Sequence, residues 1–134
     1  MPPSRRRLPL PTLTVRRGTV YVYGLAALDD RGRLADRTIM RALGWSAGLR
    51  LDIREAVGLL VVHARPDGEF RVTGQGHLRL PALIRRRCGL EPGDRVLLAA
   101  DPPQRQLVIY PPAVLDDLTA QRHHRLGPVG GESA

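Results

Sequence analysis

A pattern of glycines and apolar residues occurs twice in this chain, and that repeat limits the folds open to it. Gly44 and Gly89 are 45 positions apart, and Gly32 and Gly76 are 44 positions apart. An internal repeat of this length is typical of an architecture built from two similar supersecondary units. Each unit is too short to bury its own strands, so the sequence predicts that the two units share one core.

Each copy predicts a short helix that ends at a glycine. Asp36 suits the N-cap of the first helix, because its side chain can accept a hydrogen bond from the first turn. Pro81 suits the first helical position of the second helix, where its missing N–H costs nothing. The closing residues, Gly44 and Gly89, suit the left-handed conformation that ends many helices.

Short apolar runs between these features predict strands separated by turns. The predicted strands are 59–62, 96–99 and 107–110, with turns at 66–68 and 101–104, and the repeat also places a strand after Gly48, at 49–53. In the second helix Ile84 and Cys88 lie four positions apart and predict an inward stripe. Arg85 and Arg86 are therefore expected to face away from the core.

The charge of the chain favours a polyanionic partner. The net charge is +8, the isoelectric point is about 11.2, and all 21 basic residues are arginine. Arginine in place of lysine is typical of GC-rich coding, but such coding does not explain the excess of basic over acidic residues. That excess favours binding to a polyanion through counterion release. Arginine also donates bidentately to phosphate oxygens or a guanine edge.

Several other classes of protein are disfavoured. No motif for a nucleophile, a phosphate loop or a metal ligand set stands out, so we expect no enzyme, no cofactor and no metal. His123 and His124 are adjacent, which is poor geometry for joint metal binding. Cys88 is the single cysteine and is expected to pack as a small apolar residue. No apolar run reaches 18 residues and no signal-peptide core follows the N-terminus, so a cytoplasmic protein is predicted.

The second copy resembles the AbrB/MazE/SpoVT family of swapped-hairpin DNA-binding domains. The residues that fall in place are Gly76, Leu78, Leu80, Pro81, Ile84, Arg85, Arg86, Gly89, Leu90, Pro92, Gly93, Asp94 and Val96. In the first copy Asp29, Gly32 and Arg33 take the family's acidic, glycine and basic places. The second copy departs from the pattern at Thr73, where the family has an acidic residue, and at His77, where it has a basic one. Thr73 thus takes the place of a residue that makes a turn contact in the family.

The resemblance implies a mainly β fold with short helices. The expected fold is a swapped-hairpin, double-psi-like barrel made from two internal repeats in one chain, as in MraZ-type members, over about residues 17 to 112. An exchanged dimer with two barrels is the alternative. We expect a basic flexible arm at 1–16, the first repeat at 17–68, the second at 69–112, and a short helix with a disordered tail at 113–134.

The resemblance also implies which residues contact DNA. The candidates are basic residues on the two loops and helices: Arg33, Arg37, Arg41, His77, Arg79, Arg85, Arg86 and Arg87. Arg41 matches Arg86 at the 45-residue offset, whereas Arg85 matches Met40. The second copy therefore carries more charge, which predicts an asymmetric DNA site.

Three functions fit the sequence. The first is a nucleoid-associated transcriptional regulator that binds double-stranded DNA. The second is an antitoxin-like protein that binds DNA with the barrel and a toxin with its C-terminal segment, although the short, mixed-charge tail argues against this. The third is a structural barrel that uses its basic face for other partners. Association of whole barrels into a homo-oligomer through residues 114–118 is a further expectation.

Overall fold

The computed structural model describes residues 21–128 and is mainly β with short helices, as predicted. The strands are β1 (Val22–Ala27), β2 (Arg33–Leu34), β3 (Arg50–Ala56), β4 (Leu59–Ala64), β5 (Phe70–Arg71), β6 (Leu78–Arg79), β7 (Arg95–Asp101) and β8 (Gln106–Tyr110). The helices are α1 (Arg37–Leu43), α2 (Ala82–Arg87) and α3 (Pro112–Leu126), with a 3-10 turn at Pro102–Gln104.

Six strands form one antiparallel sheet and two form a small second sheet. The order in the larger sheet is β1-β7-β8-β4-β3-β5, and β2 pairs with β6 in the smaller one. The sequence predicts a closed barrel, but within residues 21–128 the larger sheet is open, because β1 and β5 form its edges and β2 and β6 pair separately. No helix in this range is long and apolar enough to cross a membrane.

The strand order is symmetric between the two halves of the chain, 21–68 and 69–112. β1 of the first half pairs with β7 of the second, and β5 of the second half pairs with β3 of the first. The backbone contacts beyond these strands repeat in the same way. Gly93 N–H donates to the Leu28 carbonyl at 2.7 Å, and Gly48 N–H donates to the Val72 carbonyl at 2.9 Å. Each half therefore completes its strand pairing with the other half.

The core lies under the central strands, and the buried residues repeat with the halves. β4 and β8 meet in the middle of the sheet, where Leu60 lies opposite Ile109 and Val62 opposite Leu107. All four side chains are buried. The corresponding residues of the neighbouring strands are also buried: Leu51 and Ile53 on β3, Val96 and Leu98 on β7. Since apolar residues of both halves interdigitate, neither half has a core of its own.

The ends of α1 and α2 are set by a side-chain cap and by glycines with positive φ. The Asp36 carboxylate accepts from Ile39 N–H at 3.0 Å, and Gly44 ends α1 with φ of 73°. Gly89 follows α2 with φ of 65°. Pro81 differs slightly from the prediction: its ψ of 149° is extended, so it precedes the helix and Ala82 begins it.

The C-terminal helix is longer than the short helix predicted for this part of the chain. α3 runs from Pro112 to Leu126. Val114 and Leu115 are half-buried, and Val114 lies beside Gly58 of the same chain. Leu118 remains exposed. Two of the apolar residues expected to join separate barrels thus pack against their own chain.

Two terminal predictions lie outside the described residues. These are the basic arm at 1–16 and the tail from 129 onward. The linker between the halves lies within the described residues, and its backbone packs closely against β3. Gly68 is buried, and a side chain there would collide with the backbone of Leu51. This close approach explains why a glycine stands between β4 and β5.

Candidate nucleic-acid interface

The two copies of the loop and helix are joined by the small sheet. We define the loop–helix units as residues 29–44 and 73–89. In the β2–β6 ladder Arg33 lies opposite Arg79, and Leu34 lies opposite Leu78. Both leucines are buried, so the ladder is anchored in the core. Like charges directly opposite one another in a ladder are destabilising, and the Asp29 carboxylate, 2.7 Å from the Arg33 Nε, offsets part of this repulsion.

Asp29 fixes the loop of the first unit. One carboxylate oxygen accepts from the backbone N–H groups of Arg31 at 2.8 Å and Arg33 at 2.7 Å. The other accepts from the Arg33 Nε at 2.7 Å. The Nη1 of Arg33 donates to the Gln75 side chain of the second unit at 3.2 Å. Arg33 is therefore held in one orientation, with part of its guanidinium still open to solvent.

The second loop keeps the turn of the first loop, although Thr73 takes the place of Asp29. His77 N–H donates to the Thr73 hydroxyl at 2.9 Å, in the place where Arg33 N–H donates to Asp29. Thr73 N–H donates to the His77 carbonyl at 2.9 Å, as Asp29 N–H does to that of Arg33 at 3.0 Å. The hydroxyl thus maintains the turn contact, but it supplies no charge to orient a basic side chain.

The environment of Asp29 lowers the pKa of its carboxyl from 3.8 to about 2. The backbone N–H of Arg33 is the largest cause, and the side chain of Arg33 and the backbone of Arg31 add to it. Hydrogen bonds and an adjacent positive charge both favour the ionised form. The folded state therefore binds this proton less readily than the unfolded state does.

We predict that replacing Asp29 with asparagine removes an acid-sensitive contribution to stability. Because the pKa is depressed on folding, the contribution is present above about pH 4 and is lost as the pH falls toward 2. Thermal unfolding of the wild type and Asp29→Asn between pH 2 and 6 measures it. The difference in melting temperature should be largest near pH 6 and should shrink as the pH falls. A difference that does not change with pH would show that the carboxylate charge is unimportant.

Arg85 is less exposed than an outward-facing position on α2 predicts, because its side chain packs against the loop of the first unit. Its side chain is half-buried, and its Nε donates to the Leu80 carbonyl at 3.0 Å. It lies against Gly32 of the first unit, where an added Cβ would be 2.7 Å from this Nε. A glycine at position 32 leaves the space that the guanidinium fills. Arg85 therefore bridges the two units, and only part of its guanidinium is open to a ligand.

The other predicted arginines are exposed. They are Arg37, Arg41, Arg79, Arg86 and Arg87. Within residues 21–128, the ion pairs join Arg33 to Asp29 and Arg65 to Asp52, the second at 3.7 Å. The five exposed arginines thus have no acidic partner among the described side chains. Exposed guanidinium groups without acidic partners are available to donate to phosphate oxygens.

Sequence reasoning missed three residues near this site. Gln75 positions Arg33, as described above. Arg71 lies opposite Arg50 in the β3–β5 ladder, and Phe70 lies beside it, half-buried. The repeat contains a signal for Arg71, because its counterpart 44 positions earlier in the first copy is Ala27. A residue that changes from alanine to arginine between copies is not required by the shared fold.

Cys88 packs as expected, at the end of the second unit. The side chain is half-buried against the core. Burial raises the pKa of its thiol, and the nearby Glu55 carboxylate adds to that effect. A raised pKa keeps the sulfur protonated and weakly nucleophilic at neutral pH. The geometry therefore gives this thiol a packing role.

Comparison with models of protein families, with curated proteins and with solved structures finds no match to this chain.

Proposed function

We propose that this protein is a sequence-specific regulator of transcription that binds double-stranded DNA through its two loop–helix units. The observation that carries this proposal is the β2–β6 ladder, which joins the units and sets Arg33 opposite Arg79. Around the ladder, exposed arginines of α1 and α2 have no acidic partner within residues 21–128. Phosphate contacts by such groups supply affinity, and guanidinium forks that reach base edges supply sequence preference.

We further propose that the fold is a swapped-hairpin arrangement of the AbrB type, completed within one chain. The exchange of strands supports this, since β1 pairs with β7 and β5 pairs with β3. The positive-φ glycines also keep their places in the two copies, at Gly32 and Gly76 and at Gly44 and Gly89. A shared backbone pattern with exchanged strands is what two fused copies of a swapped hairpin would produce.

The proposed DNA site has two unequal halves. Arg41 and Arg86 are counterparts and are both exposed. The second unit adds Arg85 and Arg87, whose counterparts in the first unit are Met40 and Ala42. Because two-fold symmetric proteins favour palindromic sites, this inequality favours a site in which one half is contacted more extensively.

Charge supports binding along the DNA backbone as well. Residues 21–128 contain sixteen arginines and twelve acidic residues, a net charge of +4 with histidines neutral. The remaining +4 of the total +8 lies in the terminal segments outside that range. A polyanion that contacts both parts would release counterions from each.

We predict a steep dependence of DNA affinity on salt. A protein that uses roughly 4–8 phosphate contacts should show a slope of about −4 to −7 in a plot of log affinity against log salt concentration. Fluorescence anisotropy with a labelled duplex, repeated at several salt concentrations, measures this slope. Affinity that is the same in low and high salt would refute electrostatic binding to the backbone and would favour a different partner for the basic surface.

A further inference from the structure

A pocket between β5, β6 and the start of α2 contains three arginines. It has a volume of about 410 Å³, and its lining includes Phe70, Arg71, Arg79, Pro81 and Arg85. We propose that this pocket binds the terminal phosphate of a small phosphorylated molecule. The proposal concerns a free ligand and does not rest on DNA binding.

The charges in the pocket lack compensation. Glu69 is its one acidic lining residue, and no ion pair joins it to Arg71, Arg79 or Arg85 in the described part of the chain. Arg71 also lies directly opposite Arg50 in the β3–β5 ladder. Like charges in that position repel, so an anion bound beside Arg71 would offset part of that repulsion, although Arg50 itself does not line the pocket.

The other copy shows that the fold does not need these arginines. The counterparts of Arg71 and Arg79 at the 44-residue offset are Ala27 and Ala35, and the counterpart of Arg85 is Met40. The two copies share their strand pairing and their helix, so the backbone forms equally well with small or apolar residues there. A preference for arginine codons would act on both copies alike. All three of these arginines line the same pocket, which indicates that they serve to bind a ligand there.

Arg85 is already positioned for such a ligand. Its Nε is held by the Leu80 carbonyl at 3.0 Å, and Gly32 restricts it from the other side. A guanidinium fixed in this way loses little conformational freedom when its remaining N–H groups bind an oxyanion. Phe70 is half-buried and adds an apolar wall for the part of the ligand that carries the phosphate.

The charge of the pocket favours a terminal phosphate over a DNA backbone phosphate, and its volume is large enough for a phosphate group. Pockets for small ligands have volumes of about 300 to 1,000 Å³, and this pocket falls within that range. A terminal phosphate monoester carries about two negative charges at neutral pH, as phosphorylated side chains do. A backbone phosphodiester carries one. Three guanidinium groups therefore match the monoester better.

Isothermal titration of the full-length protein tests the proposal. The probes are adenosine 5′-monophosphate, pyrophosphate and, as a probe without phosphate, adenosine. We expect both phosphorylated probes to bind with dissociation constants below about 1 mM and adenosine not to bind. Arg71→Ala copies the residue of the first half, so it should fold, and it should weaken both phosphorylated probes at least about tenfold. Arg122→Ala, an exposed change of equal charge on α3, should leave them unchanged.

Three results would overturn the proposal. The first is no binding of either phosphorylated probe by the folded wild type. The second is equal binding by the wild type and Arg71→Ala. The third is a loss of duplex DNA affinity in Arg71→Ala while adenosine 5′-monophosphate fails to bind the wild type, which would assign the pocket to backbone phosphates. The double variant Arg41→Ala/Arg86→Ala, changed outside the pocket, should still bind pyrophosphate. Failure of DNA binding alone would therefore leave this inference standing.

Discussion

Replacing Arg41 and Arg86 together with alanine is expected to weaken binding to a specific DNA site at least about 30-fold. Each bidentate contact to a base contributes about 1–3 kcal/mol to discrimination, and under the proposed function the double change removes one such contact from each unit. Both side chains are exposed, so the fold should survive the change. Fluorescence anisotropy with the specific duplex gives the affinity, and circular dichroism verifies the fold.

The matched control is Arg122→Ala/Arg125→Ala on α3. It lowers the net charge by the same amount and removes two equally exposed side chains. It should change the affinity by no more than about threefold, because exposed charges away from the interface are screened by salt. Equal losses in the two double variants would mean that net charge alone governs binding. The loop–helix units would then have no special role.

Fragments 1–68 and 69–134 are each expected to be unfolded when alone, and a stoichiometric mixture is expected to fold. β1 needs β7 as its partner and β5 needs β3, and each pair joins the two halves. The buried residues of β4 and β8 also pack across the same boundary. Circular dichroism of each fragment and of the mixture measures the gain in strand structure.

The intact chain should behave differently from the mixture. Its two halves are joined by a short linker, and such a connection gives an effective concentration on the order of millimolar. Its melting temperature should therefore not vary with protein concentration, whereas that of the mixed fragments should rise with it. A fragment that folds alone as a monomer would contradict the interleaved pairing. An intact chain whose melting temperature rises with concentration would favour the exchanged dimer.

Much of the fold follows from local signals in the sequence. The strands around 60–62, 96–98 and 107–109 are short apolar runs, and the strand around 51–53 alternates apolar and polar residues; both patterns predict strands. Asp36 and Gly44 define a helix through their own hydrogen bonding and backbone freedom. These features depend on neighbours in sequence, so they can be predicted from it.

The missed features depend on contacts between distant residues. β1 contains Gly24, Ala26 and Ala27, which give little strand signal, and it forms because β7 offers it a partner. The burial of Arg85 depends on the space left by Gly32, more than fifty positions earlier. Helical spacing places Arg85 on an outer face, but it contains no information about a neighbouring loop from the other half.

For the candidate site, the sequence predicted the outward-facing position of Arg86 but not the contacts that hold Arg33 and Arg85. The arginines of α1 and α2, apart from Arg85, are exposed. Arg33 and Arg85 are partly engaged by Asp29 and by the Leu80 carbonyl, which the sequence did not indicate. Their remaining N–H groups are held in fixed positions, and this favours directional contacts over loose attraction.

The most direct test of the central proposal is selection of genomic DNA by the purified full-length protein. Sheared genomic duplex is incubated with the wild type or with Arg41→Ala/Arg86→Ala at physiological salt, and the retained fragments are sequenced. We predict that the wild type enriches fragments that share a short sequence with two unequal halves. The variant should lose that enrichment and keep weak, uniform retention. Retention without any shared sequence, or enrichment that is equal in the wild type and the variant, would contradict sequence-specific recognition by the loop–helix units.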